Sequence, residues 1–417
     1  MVRDPVADQP SGASAPAPSL VFLPAGDTDG QGRVSPATML LGLPLLRRSV
    51  VAASRAGFGR ILVLAPDATQ AEGLLDGAPA TVLSPGEPLP PLPAGRIVLV
   101  AENVLAQPHW FRALLELRLE PGQMVLDGGA VAVIEAADAR AMASVTVNGL
   151  GAPALFAALG RSFRAVDRPM DREGMLALVT PQDVRKAEEW LLQGLVKETE
   201  GFLSRHVERP LSLAVTRRLV PTRIRPNAMT AVSVGIGLLG APLFLSARPA
   251  LQLTGALLFL AHSILDGCDG ELARLRFQES RWGGLFDFWG DNVVHVAVFV
   301  CMAVGWTLAV RAAWPLLVGG AAVAGTLGSA AFVHGHTLRG KPAHGPLFTS
   351  VLPSRGAGPS HLVEVLARRD FIYLVVLLSA FGKATWFLAL AAVGAPIFFC
   401  LLLWFALTGG AGEARAS

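Results

Sequence analysis

The sequence predicts an N-terminal α/β domain of Rossmann-like class, followed by an all-α domain of six transmembrane helices. Three observations carry that prediction. Short apolar runs alternate with helical stretches up to about Val220, and long uncharged apolar runs take over from Ala228 onward. Hydrophobic residues make up 52% of the 417 and charged residues only 16%, against the roughly 25% charged share of an ordinary soluble domain. Mean hydropathy is correspondingly high at +0.49. A wholly soluble protein, a disordered chain and a nucleic-acid binder are all excluded by this balance. Net charge is +3, and of the 35 basic residues only four are lysine, so arginine supplies the cationic chemistry.

In chain order, residues 1–19 read as a disordered leader, because they lack the apolar core of a signal peptide. Residues 20–190 form the α/β domain. Leu20–Ala25, Arg60–Pro66, Arg96–Ala101 and Met175–Thr180 suit buried parallel strands. Pro44–Ala56 and His109–Leu119 suit the helices between them, and the Pro-rich patch Pro85–Pro93 suits an exposed loop. Residues 191–225 form a linker with an interfacial amphipathic helix. There Phe202, Leu203, Val207, Leu211, Leu213, Val215 and Leu219 recur at helical spacing among arginines. Residues 226–407 carry the six spans, at 228–246, 249–267, 290–310, 314–335, 370–386 and 387–407, and residues 408–417 are a tail.

Arginine placement orients the spans. Arg205, Arg209, Arg217, Arg218, Arg223 and Arg225 precede the first, Arg274, Arg276 and Arg281 lie between the second and third, and Arg339, Lys341, Arg355, Arg368 and Arg369 lie between the fourth and fifth. The positive-inside rule places these loops and both termini in the cytoplasm, in a multi-pass protein of a bacterial inner membrane. The three cysteines, Cys268, Cys301 and Cys400, are scattered and give neither a disulfide framework nor a metal quartet.

The segment 266–291, DGCDGELARLRFQESRWGGLFDFWGD, carries the chemistry. Asp266 and Asp269 share a face of one span, and Asp287 and Asp291 share a face of the next. Ionisable groups at membrane depth are costly and normally mark function. Four converging carboxylates repel one another unless cations lie between them, and hard divalent ions suit an all-oxygen site. Mg²⁺ or Mn²⁺, two ions, would serve a displacement at phosphorus. Gly267, Gly270, Ala273, Gly283 and Gly284 keep the nearby helix surfaces small, and Arg274 offers a forked donor to a phosphate. His262 precedes Asp266 by one turn and His295 follows Asp291 by one, so either could tune the carboxylates or serve as an ordinary membrane histidine. His334 and His336 raise a weaker possibility of a metal pair.

The segment resembles the CDP-alcohol phosphotransferase family, whose signature is D-x-x-D-G-x-x-A-R, eight residues, then G-x-x-x-D-x-x-x-D. Asp266, Asp269, Gly270, Ala273, Arg274, Gly283, Asp287 and Asp291 meet every fixed position. Arg225-Pro226-Asn227-Ala228-Met229-Thr230 is similar to the family's entry to its first span. The resemblance implies transfer of a substituted phosphate from a CDP-alcohol donor to an alcohol acceptor, a lipid or a polyol phosphate, with release of CMP. It implies Asp266, Asp269, Asp287 and Asp291 as metal ligands, Asp291 also as the base, and Gly270, Ala273, Arg274 and Gly283 as the CDP pocket. It further implies membrane-lipid contacts and a homodimer.

Phe22–Arg33, FLPAGDTDGQGR, resembles the glycine-rich loop of sugar nucleotidyltransferases, but Ser35-Pro36-Ala37-Thr38 brings no lysine and Ala101-Glu102-Asn103 stands where that family has an aspartate. A degenerate, non-catalytic domain is therefore expected. The pairing resembles bifunctional inositol-phosphate cytidylyltransferases fused to di-inositol-phosphate-phosphate synthases, so an active cytidylyltransferase half is the alternative. A cation transporter is the competing class. It is disfavoured because the carboxylates cluster at one helix end, whereas a transport path would place them nearer the midplane.

Overall fold

The structure is a computed structural model that describes residues 17–25, 34–84, 87, 90, 92–137, 151–196, 203–338 and 371–413. Most of the leader, the loop residues 26–33, most of the Pro-rich patch, the basic loop 339–370 and the last four residues lie outside the described residues. The chain divides into two compact units, Met1–Trp190 and Leu191–Ser417.

In the first unit seven described strands form one sheet: β1 (Ser19–Leu23), β2 (Arg60–Leu64), β3 (Thr81–Leu83), β4 (Gly95–Ala101), β5 (Gln123–Asp127), β6 (Val131–Ala136) and β7 (Arg164–Asp167). Their spatial order is β7-β5-β6-β4-β1-β2-β3. The central β1, wholly buried, pairs in parallel with β2 and β4, as its unbroken apolar run requires. β6 runs antiparallel to both neighbours, so the sheet is mixed and its far half departs from a Rossmann order. The cause is local: Gly128 and Gly129 adopt φ of +56° and +72°, and the Ala130 N–H donates to the Asp127 carbonyl at 3.1 Å. That tight turn folds β5 directly back as β6.

Met175–Ala177 is likewise not a strand of this sheet. It forms a separate antiparallel pair with Val104–Ala106. Helices α1 (Leu45–Ala56), α2 (Ala68–Leu75), α3 (Pro108–Glu116), α4 (Ala152–Leu159) and α5 (Pro181–Gln193) complete the unit. α1 stops at Gly57, whose φ of +109° suits a left-handed cap. Phe111 on α3 is fully buried and meets Phe22, Phe58 and Trp110 edge-on.

The second unit is helical: α6 (Arg209–Leu219), α7 (Pro226–Gly240), α8 (Pro249–Leu275), α9 (Arg281–Val310), α10 (Trp314–Leu338), α11 (Phe371–Ala380) and α12 (Ala384–Glu413). Among the described residues five stretches are long and apolar enough to cross a bilayer, Pro226–Leu245, Pro249–Leu275, Arg281–Val310, Trp314–His336 and Ala384–Trp404. This is the pattern of an integral membrane protein.

The expected count of six is therefore corrected to five among the described residues. The apolar run at 370–386 is broken at Gly382, which has φ +68°, and the part of it described before that turn is the helix Phe371–Ala380. The hydropathy of that run belongs partly to the start of α12. An even number of crossings no longer argues for termini on one side. Leu239 and Leu317 are 72% and 77% exposed, as lipid-facing residues are.

α7 and α8 approach closely because Gly240 and Gly255 meet back to back. A Cβ on Gly255 would lie 2.9 Å from the Gly240 carbonyl. The α6 helix shows an unexpected face. Its buried residues, with the preceding turn, are Ser204, Glu208, Ser212 and Thr216, whereas Leu211 and Val207 are exposed. The polar stripe faces the bundle and the apolar one faces outward, as suits a helix at a headgroup surface.

Candidate active site

α8 and α9 present the four carboxylates. Asp266 and Asp269 are buried on α8, and each can bring a carboxylate oxygen within 4.8 Å of one from Asp287 on α9. Asp291, one turn beyond Asp287, turns Oδ1 to His262 Nε2 at 3.2 Å. His262 is 1% exposed, and its ring stacks against Phe259. Gly237 on α7 leaves room for that ring, since a Cβ there would lie 3.0 Å from His262 Cγ. His295 instead bonds the Asp291 carbonyl at 2.7 Å.

The start of α9 is fixed by Ser280, whose Oγ accepts from the Gly283 N–H at 3.0 Å. Gly283 is required by proximity: a Cβ would fall 2.9 Å from Asn227 Oδ1 on α7. Asn227 thus abuts the motif glycine, and Thr230, one turn on, donates its hydroxyl to Asp269 Oδ2. Arg274 lies over Gly270, whose added Cβ would sit 3.2 Å from Arg274 Nη1. Ala273 is half-buried on the same turn, and its carbonyl accepts from the Gln278 N–H.

A second set of buried charges braces this end of α8. Glu271, fully buried, accepts from Ser212 Oγ at 2.7 Å, Thr216 Oγ1 at 2.6 Å and Arg209 Nη1 at 2.9 Å. Arg276 reads from the sequence only as a positive-inside residue. It donates to the carbonyls of Leu219, Val220, Thr222 and Ile224, tying the α6–α7 connection to the end of α8. Burial lowers its pKa from the usual arginine value. His334 accepts from Trp289 Nε1 at 3.2 Å and His336 stacks on Phe332, so the two are engaged separately. Arg368 and Arg369 lie outside the described residues.

The donor set suits a divalent metal. Three carboxylates that meet at depth repel unless a cation neutralises them, all the donors are oxygen, and the buried Asp287 Oδ1 accepts no hydrogen bond among the described residues. Sequence reasoning missed the partners across helices. His262 shares a face with Asp266 but pairs with Asp291, and helical spacing carries no signal for that. Thr230 was legible only as part of the motif preceding the first span.

The family model for CDP-alcohol phosphatidyltransferase matches residues 223–411, the stretch that holds the whole carboxylate cluster. The chain is 40% identical over 144 residues to a bifunctional IPC transferase and DIPP synthase of Rubrobacter xylanophilus, covering 34% of this chain and 32% of that one. A protein of the same description from Thermococcus kodakarensis is 36% identical over 135 residues, 32% of this chain and 30% of that one. The match thus spans about a third of the relatives' length. Among solved structures, the Mycobacterium tuberculosis phosphatidylinositol phosphate synthase with CDP-DAG bound aligns at 17% identity and a TM-score of 0.35, over 47% of this chain and 92% of that one.

Proposed function

We propose that this protein is an integral-membrane CDP-alcohol phosphotransferase of phospholipid or polar-lipid synthesis. It moves a substituted phosphate from a CDP-alcohol to an alcohol acceptor. A bond forms between the acceptor oxygen and phosphorus, the bond from that phosphorus to the CMP oxygen breaks, and CMP leaves. The observation that carries this reading is the buried cluster of Asp266, Asp269 and Asp287, with Asp291 beside it, inside the family domain.

Asp266, Asp269 and Asp287, with Asp291, would hold Mg²⁺ or Mn²⁺, two ions. Such ions, when bound, neutralise charge on a diphosphate and ease departure of CMP. Arg274 offers its guanidinium fork to a phosphate oxygen, and Gly270, Ala273 and Gly283 leave room for the CDP moiety. Asp291 takes the proton from the attacking hydroxyl, and His262 holds that carboxylate in place. Thr230 fixes the orientation of Asp269.

We place the basic loops on the cytoplasmic side of a bacterial inner membrane, and read the protein as a homodimer. The relatives' names carry two activities, which favours a second reading in which the first unit makes the CDP-alcohol. Against it, Ser35–Thr38 brings no lysine and Ala101-Glu102-Asn103 no aspartate, so we keep the first unit as non-catalytic. No observation favours a transporter.

The test is CMP release by the purified protein with Mg²⁺, across CDP-diacylglycerol and CDP-inositol, each paired with a panel of lipid and polyol-phosphate alcohols. Release that requires one donor–acceptor pair and stops on chelation is the expected result. Release by hydrolysis alone, independent of any acceptor, would contradict the transfer.

A further inference from the structure

Beside the carboxylate cluster, and sharing Asp291 with it, the second unit carries a half-open cavity of about 540 Å³ among α8, α9, α10, α11 and α12. That is ample for an organic ligand. Its lining is mostly hydrocarbon, with Phe299, Ile372, Phe387, Leu390 and Phe398 among the walls. Phe371 stacks on Phe387 at 5.9 Å and lies 5.9 Å from His295, so the wall near Asp291 is aromatic.

The polar part of the lining is Asp291 with His262, Asn292, His295, Thr326 and two serines, and the serine hydroxyls want partners. Ser263 Oγ and Ser329 Oγ are buried with no hydrogen bond among the described residues. Each residue is more than nine-tenths buried. A buried hydroxyl without a partner costs about 1–3 kcal/mol, and a bound polar group would remove that cost. Of the four motif carboxylates only Asp291 lines the cavity.

From this we infer that the acceptor is an amphiphilic alcohol whose hydrocarbon chain fills the cavity, with its hydroxyl near Asp291 and Ser263. The inference rests on the transferase reading and deepens it by choosing a lipid acceptor over a water-soluble polyol phosphate. The acceptor is favoured over the donor as occupant because the three clustered carboxylates, which would face the diphosphate, do not line this space. A polyol phosphate would have to desolvate its charge against phenylalanine and leucine, which is costly.

Gly394 provides the probe. It lines the cavity on α12, and a Cβ there meets nothing within 4 Å, so Gly394→Leu adds bulk at the cavity wall from an uncrowded backbone position and improves helix propensity. The full-length protein in phosphatidylcholine nanodiscs is photolabelled with a diazirine-bearing C16 alcohol, and the labelled peptides are mapped. Label on Ile372, Leu390 or Phe398 is expected, competed by 1,2-dialkylglycerol but not by glycerol or inositol phosphate, and reduced fivefold or more in G394L. Label elsewhere only, or label indifferent to G394L, overturns the assignment.

With the donor identified by CMP release, G394L should raise KM for a long-chain acceptor at least fivefold. Turnover of a soluble polyol phosphate at a rate G394L leaves unaltered overturns the lipid acceptor while the transferase stands. The expected labelling without CMP release from any donor supports the long-chain alcohol site and removes the transferase reading.

Discussion

Both units bury charge, and they treat it differently. In the first unit, buried charge ties the chain to itself. Arg48, 3% exposed, donates to the carbonyls of Leu40 and Leu41 at 2.8 and 3.1 Å, and burial lowers its pKa to about 10. Arg96 pairs with Glu135 at 2.9 Å and caps the carbonyls of Leu114 and Leu117. In the second unit Glu271 is braced in the same way, but a few residues earlier Asp266 and Asp269 gather with Asp287, carboxylate against carboxylate. Buried charge that the fold satisfies holds structure, and buried charge gathered with like charge is held for a ligand.

The sharpest way to break this comparison is Asp287→Asn. Metal-assisted charge stabilisation amounts to several kcal/mol, so CMP release should fall on the order of 10³-fold. Because the substitution also relieves repulsion among carboxylates, the metal-free protein should melt no lower than wild type in detergent. A fall in both activity and melting temperature would make Asp287 structural.

Arg209→Ala tests the opposite case. It leaves the fully buried Glu271 without its cation, and should cost about 3 kcal/mol of stability, read by thermal unfolding in detergent. Arg48→Met comes next, leaving two carbonyls short of a donor in the first unit at about 2 kcal/mol, with CMP release by the folded protein unchanged.

The smallest effect belongs to Asp183, on the first turn of α5. It accepts from the Thr180 N–H at 2.9 Å and from its hydroxyl, and the backbone bond leads in lowering its pKa to about 2 from the usual 3.8. A depressed carboxylate adds stability above its unfolded pKa and loses it as pH falls through the folded value. Asp183→Asn should therefore lower stability near neutral pH and match wild type by about pH 2, in acid titration followed by circular dichroism.

Much of this was legible in the sequence, because one-dimensional spacing carries it. Residues 266–291 show two carboxylate pairs at helical intervals, and the apolar runs from Leu20, Arg60 and Arg96 lie on three parallel neighbours of one sheet. What spacing could not show are pairings between elements. The Gly128-Gly129 turn that reverses β6 is a readable hairpin signal, masked by runs as apolar as parallel strands. His262 meets Asp291 across two helices, and α6 hides serine and threonine because Glu271 lies opposite. Hydropathy over 370–407 is almost continuous, so only the backbone turn at Gly382 separates the helix before it from the spanning one after it.

The central claim is that Asp291 receives the acceptor's proton. The most direct measurement compares CMP release by wild type and Asp291→Asn, with Mg²⁺ and the donor–acceptor pair that supports turnover. A positioned base contributes about 10²–10⁴-fold, so a loss in that range is predicted, with membrane insertion and thermal unfolding unchanged. Wild-type release by D291N would contradict the assignment.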